Sequence, residues 1–126
     1  GVAEGDMLMY DGFDWIPVSG PTLTWTLGED GTNSHYTFTG SGFVSATNDP
    51  ILYLQRGQVY RFKNDSQYVV HPFEIRQSNG GNAYTAGVTN DGSGTTTFTV
   101  PMDAPATLYY QCTMHPTMGN QIVIVT

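Results

Sequence analysis

Apolar and polar positions in this chain change over in short alternating, β-branched and aromatic runs, and the spacing of an amphipathic helix is missing throughout. The runs predict strands over Thr22–Leu27, His35–Thr39, Ile51–Leu54, Gln58–Lys63, Tyr68–Arg76, Thr95–Val100, Thr107–Cys112 and Gln121–Val125. Between them lies explicit turn material: "GEDGTN", "TGSG", "ATNDP", "NDSQ", "SNGGN" and "TNDGSG". About eight short strands at this spacing predict an all-β Greek-key sandwich over residues 21–126. An immunoglobulin-like sandwich is the runner-up, without the Cys…Trp…Cys pattern that would support it.

Residues 1–20 read differently. "GDMLMYDGFDWIPV" predicts a tight hairpin turning at Asp11-Gly12, with Met7, Met9, Trp15 and Ile16 as its apolar residues. Two strands alone are marginal, so the hairpin is expected to pack on the sandwich, on a partner chain or on an upstream domain. Pro17, Gly20 and Pro21 mark the expected boundary between this extension and the main domain.

Composition narrows the picture. At 126 residues, with 39% apolar and 12% charged positions, the chain suits one folded domain with a single core. No apolar run approaches the roughly 20 residues of a spanning helix. No signal peptide is visible, and a chain that opens on Gly1 reads as a mature or excised piece. The net charge of -7 is uneven: Glu4, Asp6, Asp11, Asp14, Glu29, Asp30 and Asp49 all precede the first base, Arg56. An acidic front half argues against nucleic-acid binding, which wants clustered Lys and Arg. One cysteine excludes an internal disulfide.

That cysteine lies in "YYQCTMHPTMGNQIVIVT", where Cys112 precedes His115 and Met118 at equal steps of three. Thiolate and thioether are soft donors that suit copper, and imidazole binds both of its common oxidation states. Cys112, His115 and Met118 offer three donors from one loop between two strands. The fourth has to come from elsewhere, and His71 in "YVVHPFEI" is placed at the centre of an apolar strand. Taken singly, Cys112 also fits a small buried hydrophobe, Met118 a gap filler and His71 a hydrogen-bonded core residue. Their joint spacing favours a metal. His35, Met102 and Met114 read as surface or packing residues. No Ser/His/Asp set, phosphate-cradling loop or carboxylate pair appears, so no catalytic residue is assigned and no enzyme is read.

"CTMHPTM", "ILYLQRGQVYRFKNDSQYVVHPFEI" and the closing Gln121–Val125 together resemble the cupredoxin family, with the ligand loop similar to amicyanin and plastocyanin-like members. The wording also resembles cupredoxin-like domains of marine phage and marine microbial proteins, and the opening hairpin is similar to segments of phage tail and fibre proteins. The resemblance implies one type 1 copper held by His71, Cys112, His115 and Met118. It implies Asn64 as a scaffold residue tying loops together. Two departures stand out. The family commonly has Asn after the upstream His, where this chain has Pro72, which has no N–H to give the sulfur. Met114 stands where short-loop members often have Pro, and its N–H is expected to take over that bond. Asn120 replaces a second Gly after Gly119, a change that a left-handed turn tolerates.

The function so implied is a one-electron carrier meeting a redox partner at the exposed edge of His115, with Met114 and Pro116 as an apolar collar. Zinc is an expected substitute in recombinant material. The alternative is a structural or attachment domain of a virion or cell-surface protein, contacting a virion or an upstream domain through residues 1–20, with copper structural or incidental. Periplasmic, extracellular or virion-associated placement follows from the resemblance alone.

Overall fold

A computed structural model of the chain describes residues 22–126 in full and, before them, the backbone of β1 (Met7–Tyr10) and β2 (Trp15–Val18). These two strands pair antiparallel, with Tyr10 opposite Trp15 and Met7 opposite Val18. The expected turn at Asp11-Gly12 and the boundary at Gly20 and Pro21 lie outside the described residues.

From residue 23 the chain builds two sheets and, among the described residues, no helix. It runs through β3 (Leu23–Glu29), β4 (Tyr36–Gly40), β5 (Phe43–Asn48), β6 (Leu52–Gln55), β7 (Val59–Lys63) and β8 (Phe73–Arg76). It closes with β9 (Val88–Asn90), β10 (Thr95–Thr99), β11 (Thr107–Cys112) and β12 (Gly119–Val125). One sheet has the order β5-β4-β3-β7-β10-β9 and the other β6-β12-β11-β8. Two pairings are parallel, β3 with β7 and β6 with β12; the remainder are antiparallel. The chain therefore changes sheet repeatedly, as a Greek-key sandwich requires.

Alternation decides which side faces inward. In β7, Tyr60 and Phe62 are buried while Arg61 and Lys63 face water; in β6, Leu52 and Leu54 are buried while Tyr53 and Gln55 are not. The two inward faces meet through aromatic rings. Phe62 of one sheet stacks on Phe73 of the other at 4.8 Å, and Phe38 meets Tyr110 at 5.2 Å. Trp25, stacked on Tyr60 at 5.5 Å, extends the same layer. Burying rings of this size removes about 150–250 Å² each from water, so the layer dominates the fold's stabilisation.

Three strand expectations change. Tyr68–Arg76 is not one strand: residues 65–70 form turns and only Phe73–Arg76 joins a sheet. His71 therefore lies in the bend before β8, not at the centre of a strand. Pro72 accounts for part of this, since it cannot donate to a ladder. The sandwich also has ten strands rather than about eight, because β5 and β9 were not foreseen. β5 is solvent-exposed along nearly its whole length and β9 is three residues long, so neither carries the alternation that marks a half-buried strand.

Candidate metal centre

The strand register brings the candidate donors His71 and Cys112 together. Cys112 ends β11 directly opposite Phe73, the first residue of β8, and His71 lies two residues before Phe73. The Thr113 N–H donates to the Pro72 carbonyl at 3.0 Å, pinning the start of one donor segment to the end of the other. The loop from Cys112 to Met118 closes on itself: Met118 N–H donates to His115 O, and Cys112 N–H to Met118 O, both at 2.9 Å. A side chain at Gly119 would collide with the Tyr110 carbonyl, so the backbone turns into β12 where only Gly fits.

His71 Nδ1 lies 3.1 Å from His115 Nδ1, while Cys112 Sγ lies 3.9 Å from the first and 3.6 Å from the second. The point equidistant from three atoms so spaced is about 2.1 Å from each, against metal–nitrogen and metal–sulfur lengths of about 2.0–2.1 and 2.3 Å in thiolate–imidazole sites. These three residues could hold a metal ion, and they are the one such His/Cys/Asp/Glu group among the described residues. Cys112 and Met118 are fully buried, His71 nearly so, and His115 reaches the surface. Met118 is anchored in the same loop by both of its main-chain bonds.

The bend carrying His71 is held by polar groups from outside the donor set. Asn64, completely buried, donates from Nδ2 to the His71 carbonyl at 2.6 Å, and the buried Tyr36 hydroxyl donates to the same oxygen at 2.8 Å. His71 N–H donates to Gln67 O at 2.8 Å. Burial, and the Cys112 side chain beside it, hold the Tyr36 phenol well above its usual range, so it stays a proton donor. Tyr36 was not singled out in the sequence. The pairing that gives it a role joins residues 35 positions apart.

Pro72 supplies a carbonyl rather than an N–H, as its chemistry dictates. The expected compensation is absent: among the described residues no hydrogen bond runs from the Met114 N–H to the Cys112 sulfur, which lies beside the two imidazoles and the Tyr36 phenol. Met114 and Pro116 are exposed beside His115, as a collar would be. The bend before His71 adds Tyr68, Val69 and Val70, which are exposed although the sequence read them as strand. His35 is an edge residue, hydrogen-bonded through Nδ1 to Asp49 at 2.7 Å, and does not belong to the His71–Cys112–His115 cluster. Asp49, read only as part of a turn, is the second residue missed.

No family model matches the chain, and neither does any curated protein. Solved structures do. Rusticyanin from Thiobacillus ferrooxidans is 18% identical with a TM-score of 0.47, over 97% of this chain and 88% of that one. Reduced rusticyanin is 20% identical with a TM-score of 0.47, over 97% and 91%. A third structure, described as the copper protein rusticyanin, is 16% identical with a TM-score of 0.46, over 97% and 89%. Rusticyanin is a cupredoxin. The donors of this chain, not these likenesses, carry the chemistry that follows.

Proposed function

We propose that the chain is a blue copper protein of cupredoxin type, holding one copper on His71, Cys112, His115 and Met118 and serving as a one-electron carrier. The observation that carries this reading is the convergence of one thiolate and two imidazoles on a single point at bonding distance. Copper held there supplies reversible one-electron chemistry between Cu(I) and Cu(II), with the soft sulfur donors favouring Cu(I). The chain's own part is to keep the donors still. The register of β8 and β11 fixes Cys112 against the His71 bend, and Asn64 and Tyr36 brace that bend from behind. Buried Cys112 and Met118 keep water from the sulfur side. A set of four donors leaves no position for a substrate, so we read no catalysis.

His115 offers the edge at which a partner approaches. Next to it in the chain Met114 is 63% exposed, and just before His71, whose ring meets that of His115, Val69 and Val70 are 73% and 57% exposed. Exposed apolar residues beside the only donor that reaches the surface suit brief docking of a redox protein. Zinc would take the same donors, more weakly than Cu(II) by the Irving–Williams order. Nothing among the described residues favours the attachment reading. Voltammetry tests the assignment: the copper-loaded protein should give a reversible one-electron wave, and an irreversible response from folded protein would overturn the carrier role.

A further inference from the structure

The side chain that spans most of the donor end is not itself a donor. Asp49 follows β5 in left-handed backbone, φ 38°, which is unusual for a residue with a side chain. Its carboxylate is 12% exposed. Oδ1 accepts the N–H of Tyr36 at 2.9 Å and the N–H of Gly119 at 3.1 Å, while Oδ2 meets His35 Nδ1 at 2.7 Å. Its main chain is engaged too: the N–H donates to Tyr36 O and the carbonyl accepts from Asn120 Nδ2, both at 2.8 Å. One residue thus gathers the start of β4, the end of β5 and the start of β12.

Two of these partners lead straight to the donors. Tyr36 braces the His71 carbonyl with its phenol. Gly119 follows Met118, whose N–H and carbonyl are tied to His115 and Cys112. A largely buried carboxylate is costly unless its lone pairs are used, and here they are used on backbone that frames both donor segments. A turn-forming Asp would need none of these long-range partners; Gly119 lies 70 positions away.

We propose that Asp49 is a positioning residue for the metal centre: by holding the N–H groups of Tyr36 and Gly119 on one carboxylate, it sets the His71 bend and the Met118 loop relative to each other. This rests on the reading that His71 and Met118 serve one metal. The reach of the carboxylate couples the two sheets at that end, because β4 belongs to one and β12 to the other. Without it the two donor segments keep their own internal bonds and are joined at Asp49 only through its main chain, to Tyr36 O and Asn120 Nδ2.

The test compares Asp49→Ala and Asp49→Asn with wild type in three readouts: release of copper to a chelator, the visible spectrum of the Cu(II) form, and amide hydrogen exchange in metal-free protein. Removing such outer partners typically lowers metal affinity about 10–100-fold, and Asp49→Ala should speed release on that scale. It should alter the relative intensities of the visible bands, and speed exchange at Gly119 and Tyr36 but not at Ile122 in the core. Asn keeps an oxygen for both N–H groups but loses the charge that roughly doubles such bonds, so its effects should be about half as large on a logarithmic scale. Wild-type release and exchange in Asp49→Ala would overturn the proposal, as would uniformly faster exchange with no rescue by Asn. If the Ala variant does not fold, Asn alone decides: selective acceleration at Gly119 and Tyr36 supports the proposal and wild-type values overturn it. If wild type gives no coloured Cu(II) form, the copper reading fails, and the exchange data still decide whether Asp49 holds the two segments.

Discussion

The middle of the sandwich and its donor end are held by different physics. Between the sheets, Phe62 is completely buried and touches Trp25, Phe38 and Phe73, with ring centroids 5.6, 6.3 and 4.8 Å away, and its own side chain has no polar group to satisfy. At the donor end, Asn64, Tyr36 and Asp49 each direct a polar group at backbone carrying or flanking a donor. Apolar contact is strong but non-directional, so it sets how far apart the sheets stand. Hydrogen bonds are modest and directional, so they set where an imidazole or a thioether points. The difference teaches that stability and metal geometry in this molecule should be separable by mutation.

The largest expected effect comes from the middle. Phe62→Ala removes a ring packed against both sheets and should cost about 3–5 kcal/mol, a large share of a domain's total of about 5–15 kcal/mol. Chemical denaturation of the metal-free protein checks it, and a loss below about 1 kcal/mol would remove Phe62 from the centre of the core. At the other end the cost should fall on the metal. His71→Ala leaves β8 and its apolar neighbours in place, so the metal-free protein should unfold as wild type does to within about 1 kcal/mol. Its copper affinity should drop by more than the 10–100-fold of an outer-partner change. Unchanged binding would show that the donor lies elsewhere, with His35 the first residue to examine.

How much of this could be read in the chain follows the same division. The core strands were legible because burial imposes a period of two, as Tyr60 and Phe62 show between exposed Arg61 and Lys63. Cys112, His115 and Met118 were legible as candidates because donors offered by one loop are local in sequence. His71 was named, but its setting was misread: "YVVHPFEI" is apolar enough for a buried strand, and nothing in it reveals that Val69 and Val70 face water. Pro72 was the signal to end the strand there. Asp49 and Tyr36 were invisible as site residues because their partners, Gly119 and His71, are 70 and 35 positions away.

A smaller effect should appear with pH. The bond to Asp49 raises the affinity of the His35 imidazole for a proton, against the opposing effect of burial, while burial raises that of the Asp49 carboxyl. For His35 the folded state binds the proton more tightly than the unfolded one. Its contribution is therefore fully present below an unfolded value of about 6.5 and is lost as pH rises through the higher folded value. Melting temperatures of metal-free wild type and His35→Gln should accordingly differ most in mild acid, where His35 is protonated while Asp49 is still ionised, and converge above neutrality. Parallel curves would remove His35 from the account.

The smallest effect is expected from deleting residues 1–20. We propose that this segment is a separate extension of the domain beginning at residue 21, since the donors and the groups that brace them all lie beyond it. The shortened protein should keep its copper spectrum and midpoint potential. Loss of the copper site on truncation would make the extension an integral part of the sandwich.

Cu(II) added to the metal-free protein, followed by visible absorption, tests the copper assignment most directly. Wild type should develop an intense thiolate-to-copper band, and Cys112→Ser, which removes the thiolate from an otherwise intact donor loop, should not. A folded wild type that binds Cu(II) without that band would contradict it.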